Sequence, residues 1–187
     1  MTMPLLMLKN LPRYECLLEA AKEFPDLDPS ACEAFLHLLH TGDECFRAVE
    51  SQLARHNISQ GRFGVLMSLL NNCRNDDGQA ALSPAGLADR TGVTRATMTG
   101  LIDTLERDGL VTRAHDTEDR RMMVVGLTLR GRELLHEILP DHFKRMAMLM
   151  QSLDEAERKT LVQLLNKITT QAAAMAPAVA SSFPAAV

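Results

Sequence analysis

Tryptophan is absent from this 187-residue chain, tyrosine occurs once and phenylalanine six times. A core without aromatic bulk rests on aliphatic side chains. Leu, Met and Ala dominate here, which favours a largely helical protein. No apolar run approaches the ~18 residues of a membrane span. The N-terminal stretch MTMPLLMLKNLPRY is apolar but has no basic lead and no small-residue cleavage site, so a signal peptide is not expected. Cys16, Cys32, Cys45 and Cys73 show no CxxC or paired spacing, as befits free thiols in a reducing compartment. The expectation is a soluble, cytoplasmic protein with no membrane partner. Enzyme signatures are missing too: there is no nucleophile elbow, phosphate loop or HExxH. The chain reads as a non-enzyme that needs no cofactor and no resident metal.

A surplus of positive charge is also lacking, since the formal net charge is −4. That argues against a wholly basic surface but leaves room for a local nucleic-acid patch. Lysine is absent from residues 87–132, where every basic residue is Arg. Arginine is the side chain suited to phosphate and base-edge recognition.

Helix signals punctuate the rest. DLDPSACEAF places Asp28 as N-cap and Pro29 at the first helical position. Apolar residues then recur at helical spacing from Ala31 to Leu53, so a helix of roughly 40 Å is expected, running to about Arg55. A helix that long near a terminus often packs on a partner chain. A shorter helix is plausible from Arg13 to Phe24, and another from Ser59 through Leu70. NNCRNDDGQ reads as a polar loop. In LSPAGLADRTG, Ser83 caps, Pro84 takes the first turn and Gly92 closes. In VTRATMTGLIDTLERDG, Thr94 caps, Leu101, Ile102 and Leu105 form the inward stripe, and Gly109 ends the helix. Two short helices joined by a tight glycine-containing turn make a helix-turn-helix. Strands are expected over 110–114 and 122–128, with HDTEDRR at their tip. Two further amphipathic helices follow, the first carrying Pro140. The fold class is mostly α with a small β-hairpin wing, a winged helix-turn-helix between N- and C-terminal helices.

The second helix of the motif carries Thr94, Arg95, Thr97, Met98 and Thr99 in its first two turns. Those turns lie nearest the base edges when such a helix enters the major groove. A wing beside it reaches the minor groove, whose negative potential draws in arginine. Arg120 and Arg121 fit that task, with Asp119 placed to orient a guanidinium. Ser83, at the cap of the first helix, completes the candidate DNA contacts. A winged helix that binds only protein would have no need of arginines spaced for both grooves.

The motifs from Leu87-Ala88 through Thr94 to Thr99, Gly109-Leu110-Val111, Asp119 and Arg121, and Leu127-Thr128 with Gly131 resemble those of the MarR family of bacterial transcription regulators. The specific likeness covers about residues 58–135. It implies a homodimer on a pseudo-palindromic double-stranded DNA operator, usually a repressor, with Arg121 in the minor groove and Asp119 orienting it. The implied organisation is an arm over 1–28, a dimerisation helix over 29–56, the winged helix-turn-helix over 57–132, C-terminal dimerisation helices over 133–172 and a frayed tail over 173–187. The resemblance also implies release by a small aromatic carboxylate held between the dimerisation helices and the winged helix. Candidate lining residues are His37, His40, Phe46, Arg47, Phe63 and Met67. Two other triggers fit the same fold: thiol oxidation at Cys16 or Cys32, and metal binding at the His37-x-x-His40 pair.

Overall fold

The computed structural model describes residues 10–75, 81–116 and 119–175. The chain divides into two compact units, residues 1–143 and 144–187. The first holds the helices α1 (Tyr14–Glu23), α2 (Pro29–Leu53), α3 (Gln60–Asn75), α4 (Pro84–Thr91) and α5 (Arg95–Arg107). It also holds the strands β1 (Ala81–Leu82), β2 (Val111–His115) and β3 (Met123–Leu127). Helix α6 (Leu129–Leu149) runs across the division, and α7 (Glu155–Met175) belongs to the second unit. Among the described residues no helix is long and apolar enough to cross a membrane.

Caps explain where the helices begin. The Asp28 carboxylate accepts from Ser30 N at 2.9 Å and Ala31 N at 3.1 Å, satisfying orphan donors at the start of α2. Ser83 accepts from Gly86 N at 3.1 Å and Thr94 from Thr97 N at 3.1 Å. Gly92 and Gly109 sit at φ +68° and +70°, the left-handed turn that closes α4 and follows α5. In α7, Asp154 and Glu157 exchange backbone-to-side-chain bonds of 2.9 and 2.8 Å, a reciprocal capping box.

The sheet has the order β1-β3-β2 and is antiparallel throughout. The β2–β3 hairpin pairs Val111 with Leu127 and His115 with Met123. β1 is an addition to the sequence reading: two residues, pairing Ala81 with Gly126 and Leu82 with Val125. So short a strand leaves no periodicity, and its partner makes it one. Pro140 lies inside α6, which continues through it to Leu149. The tail expected to fray from 173 is still helical to Met175. The expected polar loop over 71–79 is corrected at its start, because α3 continues through residues 71–75; residues 1–9, 76–80 and 176–187 lie outside the described residues.

The core of the first unit is aliphatic, as the missing tryptophan requires. Leu53, Val65, Leu66, Leu69, Leu87, Met98, Ile102, Leu105, Val125 and Ile138 are all fully buried. Thr128 locks α6 to the wing. Its N–H donates to Leu110 O at 3.2 Å, its hydroxyl donates to Gly109 O at 2.7 Å, and the same oxygen accepts from Gly131 N at 3.0 Å.

Gln52 is the most deeply buried of three buried polar or charged residues among the described ones. Gln52, 1% exposed, donates from Nε2 to Ile138 O at 3.3 Å, and its Oε1 lies 3.2 Å from His142 Nδ1. With Gln52 Oε1 as acceptor, His142 carries its proton on Nδ1. The imidazole also meets Phe63 edge-on at 4.9 Å. Burial pushes the His142 pKa below its ordinary 6.5, because desolvation disfavours the cation. Above about pH 6.5 the ring is neutral folded or unfolded. As pH falls below that, the unfolded chain takes up the proton first, and the fold loses stability until the folded-state pKa is passed. Urea midpoints measured from pH 7.5 to 5.0 should therefore fall more steeply for the native chain than for His142→Gln. Parallel curves would remove His142 as the cause.

Candidate nucleic-acid interface

The first two turns of α5 present an exposed face: Thr94, Arg95, Ala96, Thr97, Thr99 and Gly100 are all open to solvent. The Thr94 and Thr97 hydroxyls are 2.9 Å apart, and Thr99 Oγ1 donates to Arg95 O at 3.0 Å. These bonds fix the threonine rotamers and turn their methyl groups into a defined surface. Arg95 projects from the same turn. Met98 is a correction: it is 0% exposed and belongs to the core, so it reads no base. With Ile102 and Leu105 it follows the i, i+4, i+7 spacing of the buried face. Ser83 is half-buried and its hydroxyl serves the α4 cap.

Arg120 and Arg121 are exposed in the turn before β3. Asp119 orients Arg121 differently from expectation. Its Oδ1 accepts the backbone N–H of Arg121 at 3.0 Å, so it shapes the turn rather than gripping the guanidinium. Met122 N donates to Asp119 O at 2.9 Å and Asp116 N to Met122 O at 2.9 Å, closing the tip. Thr117 and Glu118 of HDTEDRR lie outside the described residues.

A clamp the sequence reading missed ties wing to helix. Arg113 on β2 donates from Nη2 to Asp103 Oδ1 and from Nη1 to Glu106 Oε2, while its backbone N–H donates to Glu106 Oε1 at 3.2 Å. The bond to Asp103, helped by the charge of Glu106, raises the Arg113 pKa above its ordinary value. The signal was present in the chain: carboxylates three apart share a helix face, and the arginine follows on the adjoining strand. Arg113→Ala should loosen the wing and lower operator affinity by roughly two- to fivefold, the size expected of a partly exposed charge pair. Amide exchange of β2 and β3, read beside operator affinity, checks this. Unchanged exchange and affinity would leave the clamp without a role.

A family model, MarR family, matches residues 58–123. The HTH-type transcriptional repressor YetL of Bacillus subtilis (strain 168) is 36% identical over 161 residues, 86% of this chain and 93% of YetL. The chain belongs to the MarR family. It is a transcription regulator with a winged-helix DNA-binding fold, in a family of regulators rather than enzymes. Its fold matches Bordetella bronchiseptica BpsR, solved to explain how 6-hydroxynicotinic acid regulates DNA binding by that protein, with TM-score 0.61 and 28% identity over 71% of this chain and 91% of that one. It shares the fold of Sco3205, a MarR family regulator from Streptomyces coelicolor solved in complex with DNA, with TM-score 0.67 and 20% identity over 80% and 91%.

In this MarR chain a cleft of about 780 Å³ opens where α2, the start of α3 and the helix-turn-helix meet. Phe46 and Glu50 line it from α2, Gln60 and Gly64 from α3, and Arg90, Val93 and Leu101 from the helix-turn-helix. Gln60 Oε1 is buried without a hydrogen-bond partner. Of the candidate ligand residues only Phe46 lines the cleft. Phe63 is 6% exposed in the core, and Met67 packs against that core. His37 and Arg47 are exposed, with Arg47 paired to Glu44, and His40 is half-buried elsewhere on α2. The cation of the cleft is Arg90, which the sequence reading passed over. Among the described residues no group of three or more His, Cys, Asp or Glu could hold a metal ion. Cys16 is exposed and Cys32 half-buried.

Proposed function

We propose that the protein is a homodimeric repressor that binds a pseudo-palindromic operator and is released by a small aromatic carboxylate in the cleft beside Arg90. The observation that carries the reading is the cleft itself. Its walls come from both α2 and the helix-turn-helix, so an occupant would contact the long helix and the DNA-reading helices at once. Arg90 suits a carboxylate, with Phe46, Val93 and Leu101 against a ring. Glu50 repels an anion, which keeps the carboxylate toward Arg90, and the unmet acceptor of Gln60 suits a ring hydroxyl or N–H. BpsR, whose DNA binding 6-hydroxynicotinic acid regulates, supports the ligand class. YetL, a repressor, supports the sense of control.

Two helices support the dimer. α2 buries only Asp43, Gln52 and Leu53 along 25 residues and leaves Phe35 57% exposed. α7 buries nothing, and Val162, Leu164, Leu165 and Ile168 stand open. Apolar stripes of this extent suit burial against a second copy. Two recognition helices about 34 Å apart would double the sequence read. Sedimentation at micromolar concentration should give a dimer, and a stable monomer would overturn this part.

The central test is fluorescence anisotropy with labelled DNA from upstream of the gene, against a scrambled duplex, across a salt series. A preference of about a thousandfold with steep salt dependence is expected. Aromatic acids such as 6-hydroxynicotinate should then release the DNA, and Arg90→Gln should raise the concentration required about tenfold or more. Equal, weak binding to every duplex selected from the genome would point to a protein-binding module. Release by peroxide or zinc but by no aromatic acid would replace the ligand reading.

A further inference from the structure

We infer that a second cavity, at the end of α5 remote from its groove-reading turn, binds a small polyanion. The cavity measures about 470 Å³ and is lined by Arg62, Arg107, Arg130, His56 and Asp108, with Leu110 and Leu134 as apolar walls. Three guanidinium groups face one carboxylate, a surplus of two positive charges before His56 is counted. Arg62 is paired with Asp108, yet its Nε is buried without a hydrogen-bond partner. A desolvated guanidinium with an unmet donor is under-compensated. Arg107 and Arg130 have no ion-pair partner among the described residues. Gly109 has no side chain to block Arg130, whose Nη1 would lie 3.8 Å from a Cβ placed there.

Three helix ends lie at or beside the lining of this cavity. Asn57 and Ile58 lead into the N-terminus of α3, and Arg130 lies in the first turn of α6. A helix start carries partial positive charge, which favours an anion nearby. The C-terminus of α5 opposes the two starts, offset by Arg107 at its last residue. Glu137 faces His56 at 3.4 Å and does not line the cavity, so an imidazolium there would already have a partner.

The cavity is neither of the sites described above. From Arg95 to Arg107 the axis of α5 rises about 18 Å, so groove phosphates at one end do not reach the other. It shares no lining residue with the cleft around Arg90. A surplus of two charges in a part-enclosed site selects an anion with at least two charges over chloride, and planar guanidinium forks suit paired oxygens. The ligand class is therefore a small molecule bearing a phosphoryl group or two carboxylates.

Isothermal titration calorimetry on the full chain, at ionic strength held constant with sodium chloride, tests this with pyrophosphate and with succinate. Saturable binding of one pyrophosphate or succinate per chain is expected, and the tighter of the two assigns the class. Arg107 and Arg130 are exposed, so Arg107→Gln with Arg130→Gln should leave the fold intact and weaken binding at least tenfold. Arg120→Gln with Arg121→Gln, in the wing, should leave it unchanged. The proposal is overturned if neither anion binds saturably, or if the wing variant loses binding while the cavity variant keeps it.

Discussion

Gly131→Ala should destabilise the winged-helix unit by about 3 kcal/mol, lowering the melting temperature by roughly 6–12 °C. A Cβ on Gly131 would lie 2.1 Å from Leu110 O and 3.3 Å from Leu127 Cδ2. The first of these is backbone, and it cannot swing aside as a long side chain can. That carbonyl already accepts from Thr128 N, so retreat of either partner breaks the lock between α6 and the wing. Gly100 is the control. Nothing lies within 4 Å of a Cβ there, and in a helix alanine should be neutral or stabilising by up to about 1 kcal/mol. Thermal melts of the two variants, side by side, check the contrast. Equal melting temperatures would mean that α6 can shift without cost.

Arg121→Ala should weaken operator binding on the order of a hundredfold in the proposed dimer, where two wings are altered at once. Removing one phosphate-facing charge per wing should lower the salt slope by about 0.9 for each. The preference for a narrow minor groove should shrink as well, because that potential is what the guanidinium senses. Arg121→Lys should recover much of the salt slope but little of the groove preference, since the ammonium lacks the planar fork. Anisotropy over a salt series, on duplexes differing only in A-tract content beside the half-sites, separates the two effects. An unchanged affinity and slope in Arg121→Ala would remove the wing from the DNA interface.

The helix-turn-helix was readable because its punctuation is local. Ser83 and Thr94 cap the helices they were expected to cap, and Gly92 and Gly109 take the left-handed turns that end them. The Leu-Thr-x-x-Gly motif after the wing was only a point of resemblance in the sequence. Its physical content appears in three dimensions: Thr128 bonds three backbone groups and Gly131 makes room for Leu110 O. Met98 was misjudged by position in the helix, although its spacing to Ile102 and Leu105 pointed inward. The ligand residues were harder. Which face of α2 meets the cleft depends on how that helix is rotated over α3 and α4, and no local pattern encodes that rotation. Phe46 faces the cleft, while Arg47, one residue along, pairs with Glu44. Arg90, on a different helix, supplies the charge. β1 was invisible for a related reason, since its two residues become a strand only by pairing with β3.

The division of α5 into two faces has an evolutionary consequence. Met98, Ile102 and Leu105 hold the helix in place, while Arg95, Ala96, Thr97, Thr99 and Gly100 stand outside the core. Apart from Thr97, which is bonded to the cap, the outward positions can change identity without altering the packing. With that face reading bases, as proposed, a lineage carrying this scaffold can drift to a new target sequence in single steps. Each such step would trade one set of regulated genes for another at little risk to folding.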